Sequence, residues 1–212
     1  MEKVSVGLIG HKFMGLAHTH GYTDLPLFFD TDVKIEKKVL CANEEDVKEK
    51  SKKWGWKEWS MDWREVVERD DIDVIDIAAS NNIHHPIAVA AANAGKHVFC
   101  EKPLALTLDD AKEMVEAVEK NEVVNMVGLN YRKVPALALA KKLIDNGKIG
   151  EIFHFRGIYQ QSMLVDPNFP VVWRLQKDKA GYGSKGDLGI HVVDIARYLV
   201  GDIEEVIGSE KT

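Results

Sequence analysis

An apolar run from Val4 to Ile9 breaks off at Gly10-His11-Lys12-Phe13-Met14-Gly15, and a helical pattern follows, roughly Met14 to Tyr22. A strand that is apolar at nearly every position must be covered on both faces, the condition of a strand inside a parallel sheet flanked by helices. The pattern recurs. Ile35 to Cys41, Val74 to Ala79, His97 to Cys100 and Val123 to Gly128 read as further strands. A turn with Pro26, Asp30 and Asp32 precedes the second strand, and charged or alanine-rich helical stretches at Glu44 to Lys53, from Asp62, and at His84 to Asn93 lie between the others. Gly95 is placed to stop the His84 to Asn93 helix. Thr107-Leu108-Asp109-Asp110 caps the next, with an acid three residues after the threonine. Five strands alternating with helices predict an α/β fold built on a Rossmann-like, doubly wound parallel sheet.

A helix from Pro135 to Asp145, opened by its proline and followed by Gly147, closes this region. Beyond Ile149 the texture changes to a strand-like segment, Glu151 to Gln160. After it come a loop with Pro167 and Pro170, a Gly-rich turn, a helix from Leu188 to Leu199 and a last strand, Ile203 to Ile207. The expected organisation is a dinucleotide-type domain over 1–130, a linking helix over 131–148, and over 149–212 the start of an α+β substrate and oligomerisation domain with a mostly antiparallel sheet.

With 45% hydrophobic and 29% charged residues the chain is globular rather than disordered. Its formal net charge of −6 argues against nucleic acid and anionic membranes as partners and for small molecules. The start lacks a basic region followed by an apolar core, and no apolar run is long enough to span a bilayer, so the cytoplasm is the expected location. Cys41 and Cys100 each end an apolar run and form no CxxC pair; both read as buried, reduced thiols.

The first turn meets a GxGxxG pattern at Gly10 and Gly15, with Lys12 in place of the middle glycine. In such a turn the first glycine permits the tight bend, the second admits pyrophosphate to the backbone, and the third lets helix pack on strand. The helix N-terminus beyond it favours phosphate. Lys12 works both ways, obstructing with its Cβ and attracting with its ammonium; a glycine turn of purely structural use is the ordinary alternative. The second strand ends Leu40-Cys41-Ala42-Asn43-Glu44, without the clear Asp or Arg that selects NAD or NADP. Glu101-Lys102-Pro103 sits at the carboxyl edge of the sheet, where open α/β folds bind ligands.

Asp187, His191 and Asp194 fall at i, i+4 and i+7, one face of a helix, while Leu188, Ile195 and Leu199 line another. A histidine beside a carboxylate is a proton acceptor near neutral pH. The alternatives are Asp187 as a helix cap and, less favoured for want of a third ligand, a metal pair; the expected metal content is none. Trp54, Trp56, Trp59 and Trp63 crowd one short window and read as packing rather than base-stacking residues.

Taken together, the glycine turn, Glu101-Lys102-Pro103 after Ala94-Gly95-Lys96-His97-Val98, and Gly186-Asp187-Leu188-Gly189-Ile190-His191 resemble the Gfo/Idh/MocA family of NAD(P)-dependent oxidoreductases, over essentially the whole chain. The last motif is especially like members acting on sugars and cyclitols. The resemblance implies a hydride transfer between NAD or NADP and a secondary alcohol or ketone of a sugar or polyol. It implies a catalytic set of Lys102, Asp187 and His191, with His191 as proton acceptor, and a cis peptide before Pro103. Cofactor contacts carry over to Gly10, Lys12, Phe13, Met14, Asn43, Ser80, Asn81, His84, Glu101 and Asn130, and Trp173-Arg174 resembles a substrate-side motif. Lys12 and Ser80 depart from the family's usual glycine and proline. Family chains continue for well over a hundred further residues, completing a sheet that also builds the subunit interface. The expected partners are therefore copies of the chain in a homo-oligomer, or a second chain that completes it. The rival reading is a catalytically incomplete dinucleotide-binding fragment or an inactive truncated paralogue.

Overall fold

The structure, a computed structural model, describes residues 2–209. The chain divides into two compact units, one running through Gly128 and including Val172–Gly181, the other made of Leu129–Val171 and the residues from Tyr182 on. The division differs from the expected boundary at residue 130 and gives Val172–Gly181 to the first unit. Ala180 explains why: its side chain is buried, and its carbonyl accepts a hydrogen bond from Asn81 Nδ2 at 3.0 Å.

In the first unit the strands are β1 (Glu2–Ile9), β2 (Val33–Cys41), β3 (Glu58–Ser60), β4 (Val74–Ile77), β5 (His97–Cys100) and β6 (Asn125–Val127). They form one parallel sheet in the order β3-β2-β1-β4-β5-β6. Helices α1 (Phe13–Phe28), α2 (Val47–Trp54), α3 (Trp63–Val67), α4 (His84–Asn93) and α5 (Leu108–Lys120) connect them. The two packed layers appear as two apolar clusters, one around Ile75, Ile77, Ile87 and Met114, the other around Val6, Leu8, Leu40 and Trp56. The doubly wound sheet is thus the one the apolar runs predict.

Three local expectations change. The edge strand β3 was not foreseen: it has three residues and pairs only with β2, too short to show an apolar period. Helix α1 runs past Tyr22 to Phe28 with Pro26 inside its last turn, forgoing the one backbone hydrogen bond that the proline cannot donate. Helix α2 starts at Val47 rather than Glu44, since the Glu44 and Asp46 side chains are engaged by the first turn. The caps behave as read: Thr107 accepts a hydrogen bond from Asp110 N–H, and Gly95 takes a positive φ of 72°.

In the second unit, α6 (Pro135–Asp145) and α8 (Ile190–Leu199) are the main helices, the short α7 (Lys177–Ala180) belonging to the first unit; a 3-10 turn, Asn130–Lys133, precedes α6. Residues 151–160 and 203–207, expected as strands, form no strand here. A strand exists only as one member of a hydrogen-bonded pair, and no backbone hydrogen bond among the described residues joins either segment to a neighbour. No helix among the described residues is long and apolar enough to cross a membrane.

Candidate cofactor cleft and active-site residues

The strands of the first unit end in register. Ile9 pairs with Cys41 on one side and Ile77 on the other, Ile77 pairs with Cys100, and Cys100 with Val127. Gly10, Ala42, Ala78, Glu101 and Gly128 therefore leave the sheet side by side along its carboxyl edge. The strand order reverses at β1, the topological switch point at which open α/β sheets hold ligands. Both cysteines are in this row as buried, free thiols. Burial pushes the Cys41 thiol up to about 12, so neither a thiolate nor a metal ligand is expected of it.

A cleft of about 650 Å³ opens at this switch point, lined among others by Gly10, Asn43, Glu44, Ser80, Asn82 and Trp173. Gly10 has φ of 119°, and a Cβ on it would stand 2.3 Å from the Ala78 carbonyl oxygen; at Gly15 a Cβ would stand 2.0 Å from the Gly10 carbonyl oxygen. Both glycines are therefore required by packing. Lys12 is the N-cap of α1, and no side chain caps that helix, leaving its first N–H groups available to an anion. Its ammonium turns outward and pairs with Glu44 at 2.9 Å. The cleft's volume, its glycine floor and the uncapped helix suit a dinucleotide. Among the described residues no group of three or more His, Cys, Asp or Glu side chains could hold a metal ion.

Sequence reasoning missed several neighbours. Glu44, just past the end of the second strand, stands at the cleft wall. His11, buried, bridges that acid and the next, with Nδ1 3.4 Å from Glu44 and Nε2 2.5 Å from Asp46. Lys50 first, and His11 second, hold the Asp46 carboxyl down to about 2. Met61, Asp62, Trp63 and Arg64 form another part of the wall, with Asp62 capping α3 by accepting from Arg64 N–H at 3.0 Å. That cap was legible as the start of a helix but not as a wall of the cleft. Of the four clustered tryptophans, Trp56 is buried and donates to Thr19 at 3.0 Å, Trp54 and Trp63 pack against the two cores, and Trp59 is exposed beneath Lys48.

Other expected residues take different places. Phe13 is exposed and Met14 half-buried at the start of α1. Asn81 is buried and holds Ala180. His84 is fully buried, its ring nitrogens 2.9 Å from the Pro103 carbonyl and 3.3 Å from that of Ala79. It braces two edge turns from behind rather than presenting its ring at a surface. Trp173 lines the cleft beside the glycine turn, with the Arg174 guanidinium stacked on it at 4.5 Å. The Lys102-Pro103 peptide is cis.

In the second unit His191 is buried on α8, its ring edge-on to Tyr131 at 4.5 Å and 6.1 Å from Tyr159. The two tyrosine hydroxyls hydrogen-bond at 2.9 Å, which raises the Tyr131 phenol above its ordinary range. Asp194, one turn on, is buried and paired with Arg132. Asp187 lies on a π-helical turn, Lys185–Gly189, that leads directly into α8. Asn130 is exposed in the 3-10 turn of this same unit.

The comparisons with known proteins agree with this architecture. Residues 4–129 match the model of an oxidoreductase family with an NAD-binding Rossmann fold, and residues 137–212 match the Gfo/Idh/MocA C-terminal domain. The chain belongs to the Gfo/Idh/MocA oxidoreductase family. It is 47% identical over 208 residues to levoglucosan dehydrogenase of Pseudarthrobacter phenanthrenivorans, covering 97% of this chain and 53% of that protein. It is 30% identical over 205 residues to myo-inositol 2-dehydrogenase of Thermotoga maritima, covering 95% and 56%. The structure of levoglucosan dehydrogenase in complex with NADH superposes with a TM-score of 0.92 at 46% identity, over 95% of this chain and 55% of that one. The chain thus spans about half the length of the relatives it matches.

Proposed function

We propose that the chain is the cofactor-binding and catalytic portion of an NAD-dependent dehydrogenase acting on a secondary alcohol of a sugar or cyclitol. The observation that carries the reading is the aligned carboxyl edge, where the glycine turn and the uncapped start of α1 emerge from β1, and the Glu101-Lys102-Pro103 turn from β5, on the two sides of β4. The names of the relatives, levoglucosan and myo-inositol dehydrogenases, support the substrate class. NAD is favoured over NADP because Glu44 stands at the cleft wall, where a carboxylate accepts ribose hydroxyls and repels a 2′-phosphate.

When bound, the nicotinamide ring supplies the hydride acceptor or donor. The protein's own residues manage the proton and the charge. As the alcohol is oxidised its oxygen becomes more negative and its proton must leave; the Lys102 ammonium stabilises that oxygen and His191 takes the proton. Asp187 completes the set by orienting the imidazole. Tyr131, edge-on to the ring, restricts its orientation from another side.

Titration of the purified chain with NADH and NADPH, read by energy transfer from its tryptophans, tests the cofactor half: saturable NADH binding with weaker NADPH binding is expected, and no NADH binding overturns the reading. Turnover of levoglucosan and myo-inositol tests the chemistry, with Lys102→Ala and His191→Ala each expected to abolish it while sparing NADH binding. A second reading, that turnover needs a further copy or another chain, is favoured by residues 151–160 and 203–207, which lack a ladder partner. Size-exclusion of the active species tests it.

A further inference from the structure

Beneath the edge turns lies a buried set of ionisable groups that the mechanism above does not use. His18 of α1 places Nδ1 2.9 Å from both carboxylate oxygens of Asp76 on β4, and Nε2 3.1 Å from Oε1 of Glu101. Tyr22 donates to Asp76 Oδ2 at 2.7 Å, and the imidazole stacks on Phe99, centroids 5.1 Å apart and planes 14° from parallel. Asp76 is fully buried and Glu101 nearly so.

We propose that His18 is a positioning residue for Lys102: by bridging Asp76 and Glu101 it locks the carboxylate against which the Lys102 backbone is held. The proposal deepens, and rests on, the dehydrogenase reading. Ionised carboxylates only accept hydrogen bonds, so a ring with a carboxylate at each nitrogen must donate from both, which is the imidazolium form. Burial alone would lower the His18 pKa, but the hydrogen bonds it donates to Asp76 and Glu101 overcome this and raise it to about 10. One cation between two buried anions also removes the repulsion that would drive the carboxylates apart.

Glu101 is held at both oxygens. Oε1 faces His18, and Oε2 accepts the Lys102 backbone N–H at 3.1 Å. A third constraint comes from Gly128, where a Cβ would stand 2.7 Å from Glu101 Oε1, so only glycine leaves the carboxylate in its place. Loss of the His18 charge frees Glu101, and with it the backbone from which the Lys102 side chain projects. A displacement of that kind costs turnover while sparing the cleft at the switch point, whose lining includes neither Glu101 nor Lys102.

The test uses the full chain. Histidine ring ¹⁵N spectra from about pH 6 to 8.5, across the ordinary histidine range, are expected to show His18 doubly protonated throughout. A ring titrating in that range overturns the proposal, and this readout needs no activity. Next, His18→Asn and, independently, Gly128→Ala are compared with the wild type for levoglucosan turnover and NADH binding. Each is expected to lower kcat about 10- to 100-fold with the NADH Kd unchanged. A folded His18→Asn with wild-type kcat overturns the proposal. If His18→Asn fails to fold, Gly128→Ala decides in the same way. A wild type that binds NADH and turns over none of the probes, with His18 still charged, instead overturns the dehydrogenase reading, and the positioning role with it.

Discussion

Arg132 grips Asp194 with Nε 2.9 Å from each carboxylate oxygen, and the two ends of this pair are unequally buried, the arginine side chain 39% exposed and the aspartate 5%. The inequality predicts which partner is worse to lose. Arg132→Met strands a buried carboxylate and is expected to destabilise the second unit by about 3–5 kcal/mol, whereas Asp194→Asn leaves a cation that water can reach and costs about 1–3 kcal/mol. Hydrogen exchange of the α8 amides measures both; equal losses would contradict the asymmetry.

The two glycines of the first turn are expected to fail through the fold and not only through the ligand. A Cβ at Gly10 or Gly15 meets backbone oxygen at 2.3 or 2.0 Å, and backbone cannot rotate aside as a side chain can. Each alanine variant should lose more than about 3 kcal/mol in urea unfolding without any cofactor present. Wild-type stability with weakened NADH binding would show that the glycines serve phosphate access alone.

Trp173 distinguishes a cofactor wall from a substrate wall. Its place in the cleft with Gly10 and Ser80 predicts that Trp173→Ala weakens NADH binding by about 1–2 kcal/mol, the scale of an aromatic contact. An unchanged NADH Kd with a raised substrate KM would restore the substrate-side assignment. Isothermal titration calorimetry makes the comparison without relying on tryptophan emission.

The buried histidines give stability a pH dependence of known sign. The His18 pKa is raised from 6.5 to about 10, so its stabilisation is complete below 6.5 and is lost as pH rises toward 10. Asp76, Glu101 and Tyr22 are the ionisable groups facing it. Between pH 6.5 and about 8, before the cysteines of the unfolded chain begin to ionise, the unfolding free energy should fall by up to about 1.4 kcal/mol per pH unit. His84 acts oppositely: burial lowers its pKa, so its contribution is lost below 6.5 as the unfolded ring takes a proton. Urea titrations at a series of pH values check this, and His18→Asn should flatten the slope above 6.5.

The α/β alternation, the helix caps and the glycine turn were legible in the sequence because each is a local matter. A strand covered on both faces must be apolar, a helix start needs an acceptor such as Thr107, and a sharp bend needs Gly10, whatever lies far along the chain. Signals carried by contacts between distant residues were not legible. Asp76, an acid inside the apolar Val74-Ile75-Asp76-Ile77, announced that a buried partner must exist, but only the packing of α1 on the sheet supplies His18 and Tyr22. Glu44 became a cleft residue because strand order brings the end of β2 to the switch point, and Trp173 because Val172–Gly181 packs on the first unit. Local sequence sufficed for the alternating apolar strands and helices of the first unit and for the edge at which the candidate site lies, because backbone geometry and burial act within a few residues. The tertiary structure alone decided which charges are paired, since a buried charge is stabilised by whatever partner the fold brings to it, regardless of sequence distance.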